Sequence, residues 1–303
     1  MLLEYYGFRE HPFQMTPDPR LFFDSSVHQR AHAHLTYGLH QGEGFIVITG
    51  EVGAGKTTLV ERLCSELDPD KYRVARIVTT QVSGEDLLRL VADAFGVPME
   101  GSKAAILKGI SEVLRAGARE GHRYLLIVDE AQGLTPQGLE ELRMLSNVTE
   151  GGQALLQTVL LGQPELKATI GSPSLDQLRQ RVLASYHLAG LSREETGAYV
   201  EHRLRAVGWQ GKPAWEQGAH DMVHRYSGGI PRRINRLCAR VLLSAALEEA
   251  DTITREMVEQ TALELEEDLG GRRGGPLTGA AAAAVVLGAA RNGPLGLDDI
   301  GRL

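Results

Sequence analysis

The sequence predicts an α/β fold: a five-stranded parallel sheet with helices on both faces, followed by a small all-helical domain. Three observations carry that expectation. Five short apolar runs alternate with helical patterns up to residue 190. A glycine-rich loop leads straight from the first run into a helix. From Leu191 onward the strand pattern stops and only helical patterns remain. The 303 residues give room for two domains.

Residues 1–41 form the first region. Met1 to Phe23 holds aromatics and prolines (HPF, then TPDPRLFF) and reads as an ordered segment laid over the neighbouring core. Ser25 and Ser26 can cap a helix running to about Gln41. After the turn Gly42-Glu43-Gly44 comes the run 45–49, FIVIT, typical of a strand buried on both faces. A helix over 56–67, a strand over 72–78, helices over 85–95 and 104–118 and a strand over 124–128 follow. A helix over 137–147 and strands over 155–161 and 182–188 complete a core domain spanning 42–190. In the second domain, 191–269, Ser192 and Glu195 have the spacing of a capping box for a helix over 193–206. Helices over 214–226, 231–250 and 254–269 come after it. Residues 270–303 are rich in glycine and alanine, offer little side-chain surface to offset ordering entropy, and read as a disordered tail.

Composition narrows the function. With 43% hydrophobic and 23% charged residues the chain is an ordinary soluble globular protein, neither rod nor collagen. Thirty-two basic against thirty-nine acidic residues leave a net charge of −7, which excludes a histone-like coat for nucleic acid. Cys64 and Cys238 lie far apart and read as reduced core thiols. The opening MLLEYYGFREHPF has no basic stretch and no apolar run suited to export, so the expected location is the cytoplasm. The run 279–290, GAAAAAVVLGAA, falls short of the roughly 18 to 20 residues a membrane span needs.

The loop Gly50-Glu51-Val52-Gly53-Ala54-Gly55-Lys56-Thr57 fits G-x-x-x-x-G-K-[ST], and its predicted strand and helix flanks are the context that motif requires. Glycines at 50, 53 and 55 let the backbone curl so that several N–H groups face one phosphate, with a helix N-terminus behind them. Lys56 would bridge the β- and γ-phosphates of ATP, Thr57 would offer its hydroxyl to Mg²⁺, and Thr58 would lie near the α-phosphate. The apolar strand ending in Asp129 and Glu130 adds two carboxylates at the edge where parallel sheets place ligands. Asp129 would hold the Mg²⁺ shell and Glu130 would orient and deprotonate the attacking water.

These paired motifs, with a helical domain behind them, resemble the AAA+ ATPases. The stretches YGFREHPFQMTPDPRLFF, GEGFIVITGEVGAGKTTLV, LLIVDEAQGL, ELRMLSN, LLGQPEL, LRQRV and GGIPRRINRLC are similar to a narrower family, the secretion ATPases of the general secretion pathway A (ExeA) type. The likeness is greatest to those found with PEP-CTERM/exosortase and exopolysaccharide loci, and it covers about residues 1–269. It implies a P-loop NTPase of AAA+ type with a helical lid. It places Gln163 at sensor 1, a polar group touching the γ-phosphate or the water. It makes Arg181 an arginine finger for a neighbouring subunit, with Arg179 as the alternative, and puts Arg232 at sensor 2. A finger in trans implies a homo-oligomer, in the form of a ring if the head-to-tail contact closes. The partner implied is a protein component of a secretion or exopolysaccharide machine. Larger members of that family carry a membrane helix and a peptidoglycan-binding region that this sequence does not show, so any inner-membrane attachment is expected through a partner.

Other readings stay in view. Arg225, Arg232, Arg233, Arg236 and Arg240 raise a DNA-linked AAA+ ATPase of transposition or origin-recognition type, although the net acidity argues against nucleic acid as a partner. Asp129-Glu130-Ala131-Gln132 resembles a DEAD/DEAH-type helicase box, but such enzymes use two sheet domains and one is predicted. An ATP-binding adaptor that does not hydrolyse is a further class. His28, His32 and His34 include an i, i+4 pair without a placed third ligand and read as solvated or packed. Trp209 and Trp215 read as core fillers.

Overall fold

A computed structural model describes residues 2–16, 18–79 and 84–268. The predicted tail at 270–303 lies outside the described residues. The chain divides into two compact units. One comprises Met15–Leu191 with Ile230–Arg232, and the other comprises Met1–Gln14, Ser192–Gly229 and the chain from Arg233.

The first unit is a five-stranded sheet of β1 (Phe45–Gly50), β2 (Tyr72–Val78), β3 (Arg123–Asp129), β4 (Leu156–Gly162) and β5 (Val182–Leu188). The strand order is β2-β3-β4-β1-β5 and every pairing is parallel. All five strands therefore end at the same edge.

Successive side chains of a strand point to opposite faces, and here both faces are covered. On one face Phe45, Val47, Leu126, Val128 and Leu160 pack with α3 (Gly84–Ala94), α4 (Lys103–Arg119) and α5 (Pro136–Leu145). On the other, Ile46, Ile48, Leu125, Ile127 and Leu161 pack with α1 (Ser26–Gln41) and α2 (Lys56–Glu66). Each fully buried Leu or Ile is worth about 1.5–3 kcal/mol, which is why the strands read as unbroken apolar runs. Gln157 interrupts the β4 run, yet its buried amide donates to the Gly38 and Glu43 carbonyls at 2.7 and 2.9 Å.

Short elements not anticipated from the pattern are α6 (Glu165–Ile170), a helical turn at Asp176–Arg179 and a two-residue hairpin, Thr149–Glu150 with Gln153–Ala154. Each is too brief to leave a hydrophobic period.

The second unit holds α7 (Arg193–Ala206), α8 (Gln217–Ser227), α9 (Pro231–Leu247) from Arg233 onward, and α10 (Arg255–Asp268). Both halves of the Ser192–Glu195 capping box form at the start of α7. The helix expected from residue 214 starts instead at Gln217, because Ala214–Trp215 pairs as a short parallel strand with Thr252–Ile253. Trp209 donates to the Pro213 carbonyl at 2.9 Å and Trp215 stacks on His220.

The first fourteen residues depart from the expectation that 1–41 packs as one piece on the core. They group with the helical unit. The Arg9 N–H donates to the Val207 carbonyl, the Tyr6 hydroxyl to the Ala250 carbonyl at 2.9 Å, and the Tyr5 hydroxyl to Asp251 at 2.9 Å. The carbonyls left over after the helix ends accept these donors: Ala206 and Val207 from Arg9, and Glu249 and Ala250 from the tyrosine hydroxyls.

Candidate functional site: a phosphate loop facing two carboxylates

Four helices begin on hydroxyl caps: Ser25, Ser102, Thr135 and Ser192. The helix after β1 does not. Its N-cap is Gly55 at φ +100°, with no side-chain cap, so the first N–H groups of α2 stay available to an anion that the helix dipole also favours. Gly55 has a second reason to lack a side chain, since a Cβ there would lie 2.6 Å from Nε2 of the buried His28. Gly55→Ala is therefore expected to cost on the order of 1–3 kcal/mol and to lower Tm by about 2–4 °C per kcal/mol in a thermal melt.

Lys56 is buried, and its ammonium donates to the carbonyls of Gly50 at 2.7 Å and Glu51 at 3.1 Å. Burial pushes its pKa below the ordinary lysine value, while the charges of Glu130, Asp129, Glu51 and Glu165 pull it back. The ammonium thus lies in the field of four carboxylates. Thr58 follows half-buried in the first turn of α2, and Val52 is exposed at the loop tip with Ala54 buried beneath.

Asp129 ends β3 and is buried. Its Oδ2 accepts from the Thr57 hydroxyl at 3.3 Å and from the Arg76 guanidinium at 2.7 Å, and its Oδ1 accepts from the Glu130 N–H at 3.0 Å. Burial works against the Arg76 charge, yet the hydrogen bond and charge of Asp129, with Glu61, leave its pKa above the ordinary value. Thr57 and Asp129 bring two hard oxygens together, as Mg²⁺ requires. Among the described residues no group of three or more His, Cys, Asp or Glu could hold a metal ion. The remaining ligands of an octahedral shell would therefore be phosphate oxygens and water, the usual way Mg²⁺ is held in nucleotide sites.

Glu130 adopts a left-handed backbone, φ 54° and ψ 36°. That conformation costs a non-glycine residue on the order of 1 kcal/mol and is kept where surrounding bonds over-determine it. Here the Thr79 hydroxyl donates to the Glu130 carbonyl at 2.9 Å, and the Gly133 N–H donates to the same carbonyl. The Glu130 carboxylate accepts from the Gln132 amide at 2.5 Å. Gln163 follows β4, and its backbone N–H donates to the side-chain amide oxygen Oε1 of Gln132 at 3.0 Å. The ends of β1, β2, β3 and β4 thus bring the loop, Thr79, Asp129 with Glu130, and Gln163 to one edge.

The remaining candidates are placed as follows. Arg181 binds the end of α5, donating to Ser146 Oγ at 2.9 Å and to Asn147. Arg179 is paired with Asp176 at 2.5 Å. Arg232 groups with the sheet unit, and its N–H donates to the Gly53 carbonyl at 3.2 Å. Its side chain is exposed. His28 contacts Ser25 Oγ at 2.7 Å, His32 meets Glu66 at 2.8 Å and His34 packs on the Tyr186 ring.

Sequence reasoning missed Arg76, Thr79, Glu165 and the bridging role of Gln132. Arg76 and Thr79 belong to no motif, and the quoted stretches that contain Gln132 and Glu165 gave neither residue a role. They reach the site because the strand order sets β2 beside β3 and β3 beside β4.

Comparison with known proteins agrees with this fold. Residues 39–170 match the AAA domain family. General secretion pathway protein A of Aeromonas hydrophila is 40% identical over 269 residues, covering 88% of this chain and 48% of that protein. The chain thus spans about half the length of that relative. Among solved structures, Cdc6p from Pyrobaculum aerophilum aligns with a TM-score of 0.66 at 17% identity, over 84% of this chain and 70% of that one. The Aeropyrum pernix ORC2 protein gives 0.60 at 18% identity over 84% and 71%. The Thermotoga maritima RuvB Holliday junction branch migration motor gives 0.52 at 22% over 89% and 86%. At such identities the structural neighbours speak for the fold alone. No helix among the described residues is long and apolar enough to cross a membrane. The chain has a P-loop AAA-type α/β fold with C-terminal helices, matches the AAA domain family over residues 39–170, and is similar over most of its length to general secretion pathway protein A.

Proposed function

We propose that the protein binds ATP with Mg²⁺ and hydrolyses it to ADP and phosphate, driving conformational work on a protein partner in a secretion or exopolysaccharide system. The observation that carries this reading is the convergence at one sheet edge of an uncapped helix N-terminus, a buried lysine, a Thr57–Asp129 oxygen pair and a constrained Glu130. In that reading the loop amides and Lys56 hold the phosphates, while Thr57 and Asp129 hold Mg²⁺, which would neutralise phosphate charge. Glu130 takes the proton of the attacking water and Gln163 stands by the γ-phosphate. Arg232 ties nucleotide state to the helices that follow it. The likeness to general secretion pathway protein A supports the secretion setting. The PEP-CTERM/exosortase association rests on the sequence resemblance, and cytoplasmic location with attachment through a partner belongs to the same reading.

Oligomerisation follows if Arg181 serves a neighbour's ATP. Its bonds to Ser146 and Asn147 must then be exchanged for phosphate contacts on assembly. The test is Mg²⁺-dependent phosphate release against protein concentration. Turnover per chain is expected to rise as subunits associate, and Arg181→Ala is expected to remove about 10³-fold or more of the assembled rate while leaving ATP binding intact. A rate independent of concentration and of Arg181 would overturn the finger.

One observation favours a second reading. Arg232, Arg236 and Arg240 recur every four residues on the exposed side of α9, with Arg233 beside them. Duplex DNA would then raise turnover several-fold, with binding falling steeply as salt increases. Turnover indifferent to DNA would leave the secretion reading alone.

A further inference from the structure

Gln132 lies two residues beyond Glu130 in a single 3₁₀ turn, Ala131–Gly133. Its side-chain amide uses both ends. The nitrogen donates to Oε2 of Glu130 at 2.5 Å, and the oxygen accepts from the backbone N–H of Gln163 at 3.0 Å. Space for this bridge is provided by Gly162, where a Cβ would stand 3.0 Å from the Gln132 oxygen and 2.7 Å from Leu166 Cδ2. The Glu130 backbone is already held by Thr79, Gly133 and Asp129, so the amide acts on the one part left to orient, the carboxylate.

From this we infer that Gln132 is a positioning residue for hydrolysis: its amide fixes the Glu130 carboxylate against the end of β4, so the base and the Gln163 turn move as one body. The inference rests on the hydrolytic reading of the site. An amide suits the task because it joins a donor and an acceptor on one rigid plane. It presents its donor to a carboxylate, which can only accept, and its acceptor to an N–H, which can only donate. It adds no second negative charge next to the base. Asparagine would fall short by about one carbon–carbon bond, roughly 1.5 Å, and could not span both partners.

The two ends of the bridge can be separated. Gln132→Glu keeps an acceptor for the Gln163 N–H and so preserves the structural bond, but it faces Glu130 with a carboxylate in place of a donor. Gln132→Met keeps the length and volume and removes both bonds. The measurement pairs single-turnover hydrolysis of prebound ATP with the Kd for a fluorescent ATP analogue and a thermal melt. For Gln132→Glu the hydrolysis rate is expected to fall about 10- to 100-fold, as for a catalytic group displaced by a fraction of an ångström to an ångström. Kd is expected to stay within about two-fold, because the amide touches neither loop nor lysine. In a Glu130→Gln background, Gln132→Met is expected to add almost nothing, since the group it positions has lost its function.

Wild-type turnover with Gln132→Glu hydrolysing at the same rate would overturn the inference and leave the ATPase reading standing. So would a lost rate accompanied by lost nucleotide binding, which marks a structural role. So would a full additional loss from Gln132→Met in the Glu130→Gln background. Absence of hydrolysis by the wild-type protein would overturn the ATPase reading, and this inference with it.

Discussion

Lys56→Ala is expected to weaken ATP binding about 100- to 1000-fold, the range for truncating one partner of a buried charge pair. The side chain has no competing surface role: it is 8% exposed, and its ammonium donates to the Gly50 and Glu51 carbonyls of the loop it belongs to. Those two carbonyl bonds hold the ammonium over the loop, so a triphosphate arriving there meets a positioned charge without further ordering. Removing it leaves the loop amides facing the phosphates without the ammonium that offsets the negative charges of Glu130, Asp129, Glu51 and Glu165. The measurement is ligand-induced stabilisation. A ligand at 100 times its Kd adds about 2.7 kcal/mol to the folded state, so the wild type should melt higher with ATP. Lys56→Ala should show no such rise at the same concentration. An unchanged rise would mean that the triphosphate sits elsewhere.

Glu130→Gln is expected to lower Mg²⁺-dependent turnover about 10²- to 10⁴-fold while leaving ATP bound, as loss of a general base does. The substitution is mild in every other respect. Glutamine keeps an oxygen that accepts from the Gln132 amide, and the left-handed backbone is held by Thr79 and by the Asp129 carboxylate irrespective of the side chain at 130. What disappears is the basic oxygen that could take a proton from water. The variant should therefore accumulate as an ATP complex, and the same complex is the form in which to capture a protein partner. Phosphate release within about two-fold of wild type would place the base on another residue. The two variants separate the functions of the site: one fails to bind, the other binds and fails to react.

The site was legible where chemistry depends on residues near one another in the chain. The loop from Gly50 to Thr58 and the Asp129–Glu130 pair are local: a strand end, a turn and a helix start put them in place, and their spacing alone specifies it. The alternation of apolar runs likewise predicted a sheet covered on both faces, because burial on two sides demands an unbroken apolar strand. The site was not legible where it depends on strand order. Arg76 reaches Asp129 because β2 lies beside β3, and Gln132 reaches the Gln163 N–H because β4 lies on β3's other side. No period or motif encodes those neighbours.

By itself, then, the sequence determined the fold class, which follows from local periodicity, and by short-range spacing it nominated the groups proposed to meet phosphate and metal. Only the tertiary structure decided that the opening fourteen residues join the helical unit, that Arg181 rests on Ser146, and that a single amide links Glu130 to Gln163. The physical reason is the same in each case: these bonds join groups distant in the chain, and which donor meets which acceptor is settled by packing of whole elements.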